Sequence, residues 1–288
     1  AYQKGQVPNM SLNTGSINFN AAFEITENFT LETSLSYNKV FSPNYPRYGY
    51  GPKNHIYTIL IWMSDDVNGQ DLKNHMWVPG LEGYRQANYN YAWYNNPYFA
   101  SYMLEQAQNR DVVDMQVKAN WKIMKDLNFQ IRGNGRNVSN FESMKSPKSY
   151  MNYGDSRNGD YKIWNTGQLN FDADALLTYS KSITEDIQFG INAGTSIFNR
   201  TYTREYQSTD GLIVPAVYSL NNTQGPVQAT NARYEKSIRS LYGAANLDFY
   251  NAVFLSFTAR NDWSSTLPLN HNSYFYPSIS LSTMVSEF

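Results

Sequence analysis

Cysteine is absent from the 288-residue chain, which excludes disulfides and thiolate metal sites. Charge is scarce: Asp, Glu, Lys and Arg make up 16% of the residues, against about 25% in ordinary globular domains. The 23 Lys and Arg nearly balance the 24 Asp and Glu. With no basic excess, nucleic acid is not an expected partner. Long oily runs are missing too. The longest, Ile56 to Met63, falls far short of the ~20 residues a membrane helix needs. This excludes a helical membrane protein but not a membrane β-barrel, whose signal is alternation rather than hydropathy. The opening AYQKGQVPNM has neither a basic nor an apolar stretch, so no signal peptide is expected within it.

Catalytic signatures are also lacking. Neither GxxxxGK[ST] nor GxSxG occurs. His55, His75 and His271 lie in expected loops with no acidic residues at ligand spacing. SDDVNGQDL, Ser64 to Leu72, resembles a calcium loop superficially, but Asp71 stands where the turn needs Gly; a capped turn or short helix is expected instead. No pair of carboxyls can be placed as a glycosidase needs. The expectation is no enzyme, no metal and no cofactor.

What the chain does have is aromatic residues, 16% of the total with 24 Tyr, and persistent alternation. In SINFNAAFEI, Ile17, Phe19, Ala21, Phe23 and Ile25 share one parity, with Asn18, Asn20 and Glu24 on the other. After the turn TEN, FTLETSLSYNKVF sets Phe29, Leu31, Leu35, Tyr37 and Phe41 opposite Thr30, Glu32 and Ser34. Two such runs across a short polar turn predict a β-hairpin. The unit recurs at DVVDMQVKANWKI with LNFQIRGNGRNVS, at QLNFDADALLTYS with IQFGINAGTSIF, and at SLYGAANLDF with VFLSFTAR; YFYPSISLSTMVS ends the series at Glu287-Phe288. About nine strands are expected.

Connections alternate in length. Short turns join one end of each pair, while Ser42 to Arg110, Asn140 to Thr166 and Gln207 to Ala232 are long. Outer-membrane barrels show this asymmetry; compact soluble domains rarely hold such loops. Phe29 and Phe41 share a face twelve residues apart, which is roughly 30 Å along the axis of a tilted barrel, close to the height of an apolar band with its aromatic girdles. An all-β transmembrane barrel is therefore expected over a soluble β-sandwich that binds glycans. In a barrel the apolar parity meets lipid, and Lys118, Asn120, Arg132, Asp172 and Asp174 face inward.

The loop WVPGLEGYRQANYNYAWYNNPYF, Trp77 to Phe99, is dense in Trp, Tyr, Asn and Gln. Such side chains stack on flat apolar faces and bond hydroxyls or amides. Trp77, Tyr89, Tyr91, Trp93 and Tyr94 are the candidate ligand-binding residues, for a glycan or a peptide. The other reading is that they pack the loop on itself or against a partner. Near the end, SYFYPS suggests a membrane-interface girdle from Tyr274 and Tyr276, a strand start or bulge at Pro277, and a turn capped by Asp262 and Ser264 with Trp263 as anchor.

LYGAANLDF, RNDWSSTLP, NHNSYFYPS and the closing SEF together resemble the SusC/RagA family of TonB-dependent outer-membrane transporters of Bacteroidetes. LIVPAVYSLNN and the NPYF segment fit as well. The resemblance runs over essentially the whole chain and is most specific from Gly211 onward. It implies import of oligosaccharides or peptides across the outer membrane, with a SusD-like lipoprotein at the extracellular mouth and energy from TonB–ExbB–ExbD. It also implies that residues 1–288 are an internal part of a barrel of ~22 strands, without its plug and TonB box. Alone, such a piece would leave two open edges that lipid cannot satisfy, so insertion or transport by it alone is not expected.

Overall fold

Nearly the whole chain is committed to one antiparallel sheet. A computed structural model describes residues 1–152 and 158–284. The short β1 (Tyr2–Lys4) is followed by nine long strands: β2 (Ser11–Thr26), β3 (Phe29–Asn44), β4 (Glu105–Met124), β5 (Leu127–Ser146), β6 (Asp160–Ser182), β7 (Ile187–Ser208), β8 (Gln228–Phe249), β9 (Val253–Ser264) and β10 (Ser273–Thr283). Each pairs with the next in sequence order, and β1 does not pair with β10. The sheet is open, with no second sheet packed on it among the described residues, so the β-sandwich reading ends here. The expected segment at Glu287-Phe288 lies outside the described residues.

The register explains the two faces. From Asn13↔Phe41 in the first long pair to Leu281↔Leu255 in the last, odd-numbered residues oppose odd-numbered ones across the main ladder of every pair. Because side chains alternate along a strand, one parity forms one continuous surface. The odd face carries Phe19, Leu35, Val117, Ile131, Phe171 and Ile279, all exposed. Its neighbours with small side chains, such as Ala173, Ala193 and Gly243, come from the same alternation. The even face carries Lys118 bonded to Glu32 at 3.1 Å, Arg132 to Asp174 at 2.8 Å, and Asn134 to Asp172 at 2.5 Å. All five residues expected to face inward share it.

The short turns are Glu27-Asn28, Lys125-Asp126, residues 183–186 and residues 250–252. Tyr250 and Asn251 both hold positive φ, at 56° and 53°, as a tight hairpin matched to strand twist requires. At the other end the strands run further than alternation indicates. β3 reaches Asn44 and β4 begins at Glu105; β5 reaches Ser146 and β6 begins at Asp160; β7 reaches Ser208 and β8 begins at Gln228. The three long connections are shorter than expected because both faces turn polar there while the backbone ladder continues. On the odd face this change is marked by Lys39 and Asp111, paired at 2.9 Å, with the Tyr37 hydroxyl donating to the same carboxylate at 2.5 Å.

The hairpin of β9 and β10 corrects three expectations. Tyr274 and Tyr276 oppose Asp262 and Arg260 on the even face, so they do not form a girdle with Phe275 on the odd face. Asp262 sits within β9, and accepts from Arg260 Nε at 2.8 Å rather than capping a turn. Ser264 does cap: its Oγ accepts from Thr266 N–H at 3.4 Å. Pro277 lies mid-strand with no bulge beside it. Bonds from Ser264 N to Asn272 O and from Met284 N to Ala252 O place the β9-facing bonds of β10 at even positions. Pro277, at an odd position, directs its donorless nitrogen to the uncovered side, where an edge strand tolerates it.

An Arg on the apolar face of a membrane-spanning sheet costs about 2–4 kcal/mol at the midplane. Leu35→Arg or Val117→Arg is therefore expected to impair membrane assembly, and Ser34→Arg or an Arg at Lys118 is not. Heat-modifiable mobility of the complete barrel in membrane fractions measures this; equal assembly of all four variants would refute the two-face assignment.

Candidate functional site

The 45–104 connection folds over the even face, while Tyr218 of the 209–227 connection reaches the odd face beside Tyr161 and Lys145. Asn44 Nδ2 donates to Ser101 O at 3.0 Å, Tyr45 Oη donates to Glu142 at 2.6 Å, and Arg47 reaches Gln106 at 2.5 Å and Leu104 O at 3.2 Å. Ser42, Val112, Met144 and Ser208, all on the even face, are buried beneath them.

The 45–104 connection is an ordered layer. Asn54 caps α1 (His55–Tyr57), which continues into a π-helical turn (Thr58–Trp62). α2 (Gly69–Asn74) is capped by Asn68, the short helix expected in place of a calcium loop. α3 (Pro97–Met103) begins with Asn96 accepting from Tyr98 and Phe99 N–H and with Pro97 in its first turn, the cap and Pro arrangement that a helix start favours. Phe99, Ala100, Leu104 and Tyr150 form its apolar centre, with Met76, Trp77 and Met103 against it.

A buried amide network holds the layer to residues 149–151. Gln86, Asn95 and Asn96 are fully buried. Gln86 Nε2 donates to Asn95 Oδ1 at 2.7 Å, and Asn96 N–H donates to Gln86 Oε1 at 3.0 Å. Asn95 Nδ2 reaches Pro52 O and Met151 O, both at 2.9 Å, while its Oδ1 accepts from Met151 N–H at 2.7 Å. Sequence reasoning treated these amides as surface chemistry. The signal that could have found them is the Asn-Asn-Pro stretch, a helix start whose preceding Asn has no cap to make.

The five candidate aromatics separate into two groups. Trp77 packs edge-on against Phe99 at 5.3 Å. Tyr94 is buried and stacks on Trp62 at 5.3 Å, and Tyr89 Oη donates to Trp62 O at 2.9 Å. Tyr91 and Trp93 stand free, 65% and 55% exposed, on a turn drawn tight by Asn90. Tyr57 lies 4.9 Å from Tyr50 and 6.5 Å from Tyr94, so Tyr50, Tyr57, Tyr94 and Trp62 form one aromatic row. Beside it Leu60 and Ile61 are exposed. Tyr50, Tyr57 and Trp62 were missed because their stretch read as an oily run and a loop, not as part of the aromatic cluster.

Beneath this layer lies a cationic group. Asp160 accepts from Tyr150 Oη and lies 3.7 Å from Lys162. Lys53 sits over the Tyr150 ring at 5.4 Å. Burial, with repulsion from Lys162, pulls the Lys53 ammonium down to about 8, and burial lowers Arg47 to about 10. Burial and the Asp160 charge push the Tyr150 hydroxyl up. Burial likewise lowers His55, whose Nδ1 lies 2.5 Å from Pro97 O.

A single sheet with an exposed apolar face, a polar face, and all its long connections gathered at one end is the wall of a transmembrane β-barrel. In that setting the odd face meets lipid and the even face lines the lumen. Solved structures share this fold. The RagAB peptide transporter matches with a TM-score of 0.69 and 17% identity, over 94% of this chain and 29% of that one. The ferric preacinetobactin receptor BauA of Acinetobacter baumannii matches at 0.53 and 12%, over 97% and 38%. The open form of the ferric-catecholate import receptor Fiu of E. coli K12 matches at 0.55 and 12%, over 96% and 43%. The chain thus spans less than half of each. These neighbours are transporters and receptors, not enzymes, and the first agrees with the SusC/RagA resemblance. No family model matches the chain, and no curated protein sequence does.

Two expectations follow from the layer. Asn95→Ala leaves buried partners unsatisfied at about 1–3 kcal/mol, so the 45–104 layer should become protease-sensitive while the barrel stays assembled. Lys53 carries the second. Its ordinary value is 10.5 and its folded value about 8, so the opened layer binds more protons between these limits and the closed layer gains stability as pH rises through that window. Proteolysis of the native layer, normalised at each pH to an unfolded reference substrate, should slow from pH 7 to pH 9.5, and this slowing should be smaller for Lys53→Met.

Proposed function

We propose that residues 1–288 are a section of the barrel wall of a SusC/RagA-type, TonB-dependent transporter in the outer membrane of a Bacteroidetes bacterium. The complete protein would import an oligosaccharide or a peptide, with a SusD-like lipoprotein over the loop layer and TonB–ExbB–ExbD supplying energy. The observation that carries this reading is the ordered layer held over the luminal face by the Gln86–Asn95–Asn96 network. A wall needs no such layer to span lipid; a mouth that captures a ligand does. The RagAB likeness supports a peptide as one substrate class and supports a partner over the mouth. The aromatic composition of the layer suits sugar rings as well.

Within the layer, Tyr91 and Trp93 are the contact residues, and Trp77, Tyr89 and Tyr94 shape the surface that presents them. The two open edges, at β1 and at β10, belong to pairing with further strands, since lipid cannot satisfy backbone groups.

Uptake by the complete transporter tests this. Each aromatic contact is worth about 0.5–1.5 kcal/mol, so Tyr91→Ala with Trp93→Ala should weaken uptake roughly 5- to 150-fold while barrel assembly is unchanged. Deletion of TonB should abolish uptake, and a lipoprotein should co-purify. Uptake independent of TonB would overturn the assignment; unchanged uptake in the double variant would return Tyr91 and Trp93 to loop packing.

A further inference from the structure

The luminal face above the membrane band carries a pattern that neither the loop aromatics nor the ion pairs of β3–β6 explain. Along β7 the even positions read Phe198, Arg200, Tyr202, Arg204, Tyr206. Aromatic and cationic side chains alternate on one face, successive members about 7 Å apart. Across the ladder, Arg200 opposes Lys236 of β8 and Tyr202 opposes Tyr234. Like charges directly opposite each other destabilise a sheet, so an anion lying between Arg200 and Lys236 would relieve a repulsion that solvent alone only screens.

Nothing acidic in the described wall does so. No carboxylate lies within ion-pair distance of Arg200, Arg204 or Lys236 among the described residues. Arg200 spends its Nε on Asn170 at 3.2 Å and rests 5.4 Å from the Phe198 ring. Asp172, opposite Phe198, accepts from Asn134. Glu205 and Glu235 have the other parity, and Glu235 is held by Arg233 at 2.5 Å. Arg200, Arg204 and Lys236 are all exposed. Tyr202 and Tyr234 lie 6.1 Å apart with Tyr234 65% exposed. The loop layer, which covers the even face of β4–β6, leaves these positions open.

We propose that this strip is a binding site for a carboxylate-bearing ligand, with Arg200 and Lys236 holding one carboxylate between them, Arg204 a second, and Tyr202 and Tyr234 the flat or apolar group that separates them. Arg suits bidentate carboxylate recognition and stacking; Lys supplies a point charge. The inference rests on the import reading and narrows it to an anionic cargo. An acidic oligosaccharide and an acidic peptide offer the same chemistry.

The test uses the complete transporter that carries this chain, purified in detergent. The probes are an oligogalacturonate and a glutamate-rich peptide, each beside a neutral counterpart, a maltooligosaccharide and a glutamine-rich peptide. At least one acidic probe should bind about tenfold or more tightly than its counterpart, and added salt should weaken it. The arm that binds identifies the source. Arg200→Gln with Lys236→Gln should remove that preference, and Arg200→Lys with Lys236→Arg, which keeps the charge, should retain most of it. No preference for either acidic probe, or a preference untouched by the glutamine variants, overturns the proposal. Membrane assembly and TonB-dependent uptake are read in cells that express the native transporter. Their absence would refute the import reading, whereas uptake confined to neutral oligomers would refute the anionic site alone.

Discussion

The antiparallel ladder from β2 to β10 is the constraint on which everything else depends. Its main registers keep one phase across eight successive strand pairs. A shift of a single residue between any two strands would exchange apolar and polar faces beyond it. Phe19 on β2 and Ile279 on β10 would then no longer share a surface. The phase therefore does more than hold strands together: it gathers the apolar residues of the membrane band on one side and leaves the other free for ion pairs, amides and loops.

Those loops in turn depend on where the ladder stops being amphipathic. Above Lys39–Asp111 the strands continue with polar residues interspersed on both sides, and the even face there becomes the floor for the 45–104 layer. The floor supplies hydrogen-bonding side chains such as Asn44, Gln106 and Glu142, so a connection of sixty residues, 45–104, can be ordered without a large apolar core of its own. Its small centre around Phe99 is completed by buried amides, which fix geometry because each has several specific partners.

The faces were legible in the sequence because period-two patterning reports them directly: Phe29, Leu31 and Leu35 against Thr30, Glu32 and Ser34 could be assigned without coordinates. The short turns were legible for the same reason. Strand ends were not, since alternation disappears where both faces are wet although the backbone bonds persist. Of the candidate loop, the aromatic cluster was legible and its division into exposed and packed members was not. Tyr91 and Trp93 stand exposed as a binding surface requires, but composition alone could not separate them from Trp77 and Tyr94, which are consumed by packing against Phe99 and Trp62. The alternation of SYFYPSISL already set Tyr274 and Tyr276 opposite Phe275, Ile279 and Leu281, and it was the girdle reading, not the parity, that the pairing with Asp262 and Arg260 corrects. The strip on β7 was present in the letters from Phe198 to Tyr206, yet its significance needs Lys236, far along the chain, to be brought opposite Arg200.

Pro277 bears on how such a wall is put together. Its nitrogen points to the free side of β10, so any strand that joins there finds one carbonyl without a donor. A uniform edge would accept a newcomer in several alignments of similar energy, or accept the edge of another molecule. An edge with a single fixed gap penalises alignments that place a well-aimed carbonyl at that gap and favours one that bends away from it. Pro277 thus works as a notch, a mark cut into the edge that distinguishes one alignment from its neighbours and discourages stray pairing.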